Sequence, residues 1–219
     1  AFFVYNRGMK YKYFLFDWDG SLADNLSIWF AGYRKVFASH RINVTNELIG
    51  KEVIGDWQGP ERLGVTKTEE FFTELEAEVL EKVNKAKLNP GVFEVLNRIK
   101  REGGKIGVIT ASRKRWVKGA LRGNGLRDLV DVFLGKEDVE FIKPHPEGIL
   151  KCLDMMQGKL EEALMVGDNE KDIMAGRRAG VDTGIYFPKR YEEFYRRENQ
   201  LSLGATYVIE DFKEMEEFL

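Results

Sequence analysis

Short runs that are nearly all apolar, separated by helical stripes, constrain this chain most. They are Tyr11–Asp17 (YKYFLFD), Lys105–Thr110 (KIGVIT), Val130–Leu134 (VDVFL), Ala163–Gly167 (ALMVG), Thr183–Phe187 (TGIYF) and Thr206–Ile209 (TYVI). A strand that is apolar on both faces has to be covered on both, as parallel strands are when helices carry the crossovers. The intervening stretches have the helical period: Val92, Val95, Leu96 and Ile99 after Pro90-Gly91, then Trp116, Val117, Ala120 and Leu121, then Ile149, Leu150 and Leu153 behind Pro146. Strand and helix in alternation predict an α/β fold with a doubly wound parallel sheet.

One stretch breaks the alternation. Between Asp17 and Pro90 lie about seventy residues without a good strand, and they hold two helical stripes instead. The first is Leu26, Trp29, Phe30, Tyr33, Val36 and Phe37; the second is Phe71, Leu75, Val79 and Val83. Gly50, Gly55, Gly59 and Pro60 interrupt them. The expected organisation is a core of residues 1–23 and 89–219, with residues 24–88 inserted as a small helical cap domain above the C-terminal end of the first strand.

Composition narrows the functional classes. Lys and Arg total 34 against 36 Asp and Glu, a net charge of −2, so there is no general pull toward nucleic acid or anionic membrane. A single cysteine, Cys152, and two histidines exclude an internal disulfide framework and a His/Cys zinc site. No apolar run reaches the ~18–20 residues of a membrane span. Ala1–Lys12 lacks the long apolar region and cleavage site of a signal peptide, so the expected location is cytoplasmic. Met9 offers an alternative start, with Ala1–Gly8 as an extension.

Open α/β sheets bind ligands beyond the carboxyl ends of their strands, so the polar residues there matter most. The first strand ends in Asp17, followed by Trp18, Asp19, Gly20 and Ser21; KIGVIT ends in Thr110; ALMVG leads into Asp168, with Asp172 four residues on. Lys143 precedes Pro144-His145-Pro146 and a helix. Singly, each has a plainer reading: a turn acid, a strand-end threonine, a solvated lysine, a helix-capping aspartate. Their common placement at the ends of successive strands joins them into one constellation.

With these motifs, DWDGS (Asp17–Ser21), VIT (Val108–Thr110), KP (Lys143–Pro144) and GDNEKD (Gly167–Asp172), the chain resembles the haloacid dehalogenase superfamily from about Tyr11 to its C-terminus. The position of the insertion is similar to that in the helical-cap branch containing phosphoglycolate phosphatases and beta-phosphoglucomutase. Ser21 stands where threonine is commoner in the family, and Asn25 where serine or threonine is usual. The resemblance implies a Mg²⁺-dependent phosphatase that forms an aspartyl-phosphate on Asp17.

The residue types suit that chemistry. A carboxylate nucleophile splits one displacement into two, and Mg²⁺ takes one or two carboxylates together with substrate phosphate. Asp17 and Asp168 can supply these carboxylates, and the resemblance adds the backbone carbonyl of Asp19 as a metal ligand. Lys143 brings a compact positive charge, while the Thr110 hydroxyl and backbone N–H groups near Gly20 and Ala111 are expected to bind phosphoryl oxygens. The Asp19 carboxylate is expected to protonate the leaving alkoxide and then to activate water; a dehalogenase of this fold lacks an acid there. Asp172 is read as a metal contact or as an orienter of Lys143, with a first-turn helix acid as the plain alternative.

In the cap, Lys51, Trp57, Gln58 and Arg62 are candidates to reach the cleft, against the plainer reading of solvated surface. The Trp29, Phe30, Tyr33 and Phe37 stripe is read as cap core, His40 as an exposed helix end and His145 as structural. Arg190, Arg196, Arg197 and the acidic stretch Glu210–Glu217 are read as solvated faces. The expected substrate is a small phosphorylated metabolite, with 2-phosphoglycolate the best single choice, and the protein a monomer or homodimer. Alternatives are a sugar-phosphate mutase on the same core and a non-catalytic phosphoacceptor switch. Receiver-type switches carry the acceptor after the third strand and lack a cap, which disfavours the switch.

Overall fold

The computed structural model describes residues 9–219, so the expected extension Ala1–Gly8 lies outside the described residues. Six parallel strands form one sheet in the order β3-β2-β1-β4-β5-β6. They are β1 (Tyr13–Phe16), β2 (Lys105–Ile109), β3 (Val132–Leu134), β4 (Ala163–Gly167), β5 (Asp182–Tyr186) and β6 (Tyr207–Ile209). The strand order runs outward from β1 in both directions, which puts the topological switch point between β1 and β4, where Phe16 pairs with Val166.

Alternation along the strands splits the core in two. Phe14, Phe16, Val108 and Val166 face one hydrophobic cluster, while Leu15, Ile109 and Met165 face the other. The second cluster is closed by Ile149, Cys152 and Leu153 of α7 (Glu147–Met155) and by Ala175 and Ala179 of α8 (Glu170–Ala179). Gly107 allows α7 to come close, since a Cβ there would stand 2.3 Å from Cys152 Sγ. Leu150, expected on the buried stripe, instead faces outward at 43% exposure.

All the regular structure described between β1 and β2 is helical: α1 (Leu26–Ser39), α2 (Asn46–Leu48) continuing into a π turn at Ile49–Val53, α3 (Gly59–Arg62), α4 (Thr68–Asn84) and α5 (Val92–Arg101). Both predicted stripes are buried, and α1 packs on α4 through Phe37 and Phe71, whose rings lie 4.8 Å apart. The chain leaves and re-enters the sheet layer along neighbouring paths. Asp24 N donates to Lys87 O (2.9 Å) and Asn89 N to Leu22 O (2.9 Å). Buried aromatic and aliphatic residues of α1 and α4 join the same cluster as Phe14, Phe16 and Trp116 of α6 (Lys114–Gly123).

Two surface expectations change. The Glu210–Glu217 stretch is mostly a 3₁₀ segment, Phe212–Phe218, that buries Phe212, Met215 and Phe218. Apolar residues every third position suit its three-residue turn, so its acids occupy only the outer side. His40 is half-buried, with its ring 5.4 Å from that of Phe71. The last helix, α9 (Arg197–Leu201), precedes β6. No described helix is long and apolar enough to cross a membrane.

Candidate active site

The rim residues are fixed by the sheet itself. Asp17 and Thr110 are each the first residue past a strand and still donate backbone N–H groups to the neighbouring strand, Asp17 to Val166 O (2.9 Å) and Thr110 to Leu134 O (3.0 Å). Asp168 follows β4 directly, and Asn169 caps α8, its side chain accepting from Lys171 N (2.9 Å). Asp172 closes this capping box by accepting from Asn169 N (3.3 Å), which turns its other carboxylate oxygen toward Lys143.

Lys143 is buried between two aspartates. Its Nζ donates to Asp17 Oδ1 (2.5 Å), Asp172 Oδ1 (2.6 Å) and Ile109 O (2.9 Å). Asp17, Asp168 and Asp172 each offer a carboxylate oxygen, and these atoms lie within 4.8 Å of one another. One ammonium against three carboxylates leaves a negative excess in a buried site. The Asp17 carboxyl is held up at about 8, first by burial and then by Asp172 and Asp19, with Lys143 pulling the other way. Asp168 is raised well above the usual carboxylate range, first by burial and then by Asp172 and Asp17. The ammonium of Lys143 resists its own burial because Asp17 and Asp172 raise it above the ordinary lysine value. A hard-oxygen donor set carrying excess negative charge fits a divalent cation such as Mg²⁺.

Asp19 sits in different surroundings. Its Oδ1 accepts from Asn25 Nδ2 (2.7 Å) and Trp29 Nε1 (2.7 Å), and its Oδ2 from Ser112 Oγ (2.6 Å) and Thr110 Oγ1 (3.3 Å). Four neutral donors orient this carboxylate, and it is not part of the three-aspartate cluster. The expected metal role of Asp19 therefore rests on its main-chain carbonyl alone.

Gly20 needs a correction. Its N–H, expected to meet phosphoryl oxygens, turns inward to Ala23 O (3.1 Å) and Asn25 Oδ1 (3.1 Å). Its φ of +81° makes the tight turn, and a Cβ there would stand 2.7 Å from Asp168 Oδ2. Gly20 thus shapes the loop, whereas Ala111 does line the cleft.

The cleft lies between the sheet rim and the helical insertion. Its empty space, taken out to the open mouth, is about 620 Å³. Asp17, Asp19, Thr110, Lys143 and Asp172 reach it from the rim, and Trp29, Tyr33 and Trp57 from the insertion. Trp57 Nε1 donates to Ala111 O (3.0 Å), and its ring stacks on Trp116 at 5.6 Å. Of the four insertion candidates, only Trp57 lines this cleft; Arg62 is held outside by Asp56 (2.8 Å), and Lys51 and Gln58 are exposed. Trp29 corrects the reading of its stripe as core alone, since one side chain packs the insertion and binds Asp19.

Sequence reasoning missed several residues. Asn25, noted above only as a departure, bridges Asp19 and Gly20. Ser112 and Lys171 also line the cleft, and burial pulls the Lys171 ammonium below the usual lysine range. Behind the rim, Tyr191 Oη donates to Gly20 O (2.7 Å) and Tyr195 Oη to Asp168 Oδ2 (3.3 Å). Arg190 is exposed, as expected of a solvated face, and it also reaches inward to bond Asn89 and Tyr186 (3.3 Å) in the same network. A tyrosine pair four apart, Tyr191 and Tyr195, was the available signal. His145 accepts from Glu147 N (3.3 Å) and packs on Phe141, outside the cleft.

Comparison with known proteins agrees with this geometry. The sequence pattern of the haloacid dehalogenase-like hydrolases matches residues 14–185. Over 92 residues the chain is 42% identical to the pyrophosphatase PpaX of Bacillus cereus (strain B4264). That stretch covers 42% of this chain and 43% of the relative, under half the length of either. A Bacteroides fragilis protein assigned as haloacid dehalogenase-like hydrolase superposes with a TM-score of 0.82 at 25% identity, covering 94% of this chain and 100% of that one. CbbY from Rhodobacter sphaeroides, solved in complex with xylulose-(1,5)bisphosphate, superposes with a TM-score of 0.74 at 20% identity, covering 94% and 96%, a likeness of fold.

Proposed function

Because the chain belongs to the haloacid dehalogenase-like hydrolases, we propose that it is a Mg²⁺-dependent phosphatase of small phosphomonoesters, working through an aspartyl-phosphate on Asp17. The observation that carries this reading is a pair of carboxylates two residues apart in contrasting environments. Asp17 lies in a charged cluster with Lys143, and Asp19 among neutral donors. Such a contrast separates a nucleophile from an acid–base group.

A carboxylate oxygen of Asp17 attacks phosphorus while the bond to the leaving oxygen breaks, and Asp19 delivers a proton to that oxygen. In the second half Asp19 takes a proton from water as the water oxygen attacks phosphorus, and the bond to Asp17 breaks. Lys143 and the Thr110 hydroxyl bind the phosphoryl oxygens, with the Ala111 backbone N–H beside them. Mg²⁺ held by Asp17 and Asp168, with Asp172 and the Asp19 carbonyl as further ligands, would offset the repulsion between nucleophile and phosphate. The insertion, residues 24–88, acts as a cap that excludes bulk water from the intermediate. Its narrow cleft favours small metabolites over phosphoproteins, and 2-phosphoglycolate is the first substrate to test.

The test is phosphate release from a panel of small phosphoesters with Mg²⁺ and with EDTA, using wild type and Asp17→Asn. Metal-dependent release with a favoured ester is expected, and folded Asp17→Asn should lose at least ~10³-fold in kcat. Normal turnover by folded Asp17→Asn would overturn the covalent mechanism. No release of phosphate, but isomerised sugar phosphate as product, would indicate a mutase.

A further inference from the structure

Six charged residues line the cleft: Asp17, Asp19, Asp56, Asp172, Lys143 and Lys171. Five are accounted for by charged or hydrogen-bonding partners. Lys143 holds Asp17 and Asp172, Asp56 pairs with Arg62 (2.8 Å), and Asp19 has its four donors.

Lys171 differs. Its Nζ donates to one backbone carbonyl, Ile54 O (2.6 Å), and among the described residues no carboxylate oxygen comes within 4.0 Å of it. The side chain is partly buried; Asp56, Asp172 and Glu170 act on it through space, but of the three N–H donors of the ammonium only one is taken up by the protein, so the group can accept a further anionic partner from the cleft. In a substrate cleft, the arrangement supplies a positive charge that a bound anion can complete.

The position adds a second argument. Lys171 stands on the first turn of α8, beside Asp172 and three residues past Asp168, so the segment that brings two carboxylates of the cluster to the rim also brings this cation. Its ammonium meets the insertion at Ile54, beside Gly55 and Asp56. The indoles of Trp29, Trp57 and Trp116 make apolar walls and supply no positive charge of their own.

We propose that Lys171 is a specificity-determining residue that takes a second anionic group, carboxylate or phosphate, on the leaving group of a small phosphomonoester. This rests on the phosphatase reading above and sharpens it: phosphoryl transfer belongs to Asp17 and Asp19, and the choice of leaving group to Lys171.

Two matched pairs of esters test it with full-length protein and Mg²⁺. The carboxylate arm compares 2-phosphoglycolate with 2-hydroxyethyl phosphate; the phosphate arm compares 1,3-propanediol bisphosphate with 3-hydroxypropyl phosphate. Wild type should prefer the acidic member of at least one pair by about tenfold or more in kcat/KM, and the arm showing it identifies the anion. Lys171→Met should bring the preferred ratio to within about twofold of unity, chiefly through a higher KM for the acidic ester, while Lys171→Arg should keep most of the preference. Lys171→Gln serves the same comparison if the methionine variant does not fold. Indifference of wild type in both arms, or a preference kept in the uncharged variants, would overturn the assignment. Metal-dependent hydrolysis of the neutral esters separates this outcome from failure of the phosphatase reading, in which folded wild type releases phosphate from none of the four.

Discussion

At the sheet rim, Asp17, Thr110 and Asp168 each stand one residue past a parallel strand, and the first and last flank the switch point between β1 and β4. In the helical insertion, the residues that reach the same cleft come from the middle of α1, at Trp29 and Tyr33, and from the turn holding Ile54 and Trp57. The rim concentrates charge that its own residues do not balance. The insertion contributes apolar walls, a few directed donors and Asp56, whose charge Arg62 of the same insertion balances. One region therefore needs a ligand to become comfortable, whereas the other is already satisfied by packing. Charge at the rim and enclosure by the insertion therefore rest on different kinds of interaction, and these should fail under different conditions.

The largest expected effect is on the rim. Asp17 is held near 8 and Asp168 well above the usual range, while carboxylates in the unfolded chain titrate near 4. Across that interval the folded state binds more protons, so without metal the stabilisation present below about pH 4 is lost as pH rises toward about 8. A divalent cation bound among these carboxylates opposes those shifts by favouring their charged forms. Melting curves from pH 5 to 8 should fall with pH in EDTA and fall much less in millimolar Mg²⁺, so the metal-induced rise in Tm should grow with pH. A rise that stayed constant or shrank with pH would show that the three carboxylates are not where the metal binds.

A smaller effect is expected where the two regions meet. Trp29 Nε1 is one of two donors to Asp19 Oδ1, and its ring also packs against Trp116 and Tyr33. Trp29→Phe retains an aromatic ring and removes the donor, so kcat should drop by about tenfold, near the ~1–2 kcal/mol of a charge-assisted hydrogen bond. The metal-dependent Tm shift should persist, because the aspartate cluster is untouched. If both kcat and the metal response collapsed, rim and insertion would be one energetic unit, and the comparison would break.

The same division explains what the sequence made legible. Strand periodicity is local, so β4 appears at its observed residues and the other strands within two residues of their ends, and the rim residues follow once strand ends are known. The buried stripe Phe71, Leu75, Val79 and Val83 of α4 is equally plain. The partners of Asn89, Tyr191 and Tyr195 were illegible because they lie 27 to 171 residues away in sequence, at Gly20 O and Asp168. Nothing local in the sequence distinguishes Lys171, because its contact with Ile54 O joins residues 117 apart. Gly20 was misread for a related reason: its motif predicts a turn, but only the folded loop shows which way its N–H points.

The smallest expected effect sharpens the comparison from behind the rim. Tyr195 Oη reaches Asp168 Oδ2 at 3.3 Å, long for such a bond, from a buried position on the segment after β5. Removing it should leave Asp168 in place but less firmly oriented. Tyr195→Phe is therefore expected to raise the Mg²⁺ concentration for half-maximal activity a few-fold, near the ~1 kcal/mol of one hydrogen bond, with kcat at saturating Mg²⁺ changed less than that. Calorimetric Mg²⁺ titration provides a readout independent of turnover, and Tyr191→Phe, which loses a bond to Gly20 O instead, provides the contrast. The two variants should differ, Tyr195→Phe weakening the metal and Tyr191→Phe slowing turnover through the Asp17–Gly20 loop. Equal losses in both would mean that the segment only packs against the rim, and that the orientation of Asp168 is set entirely by β4 and α8.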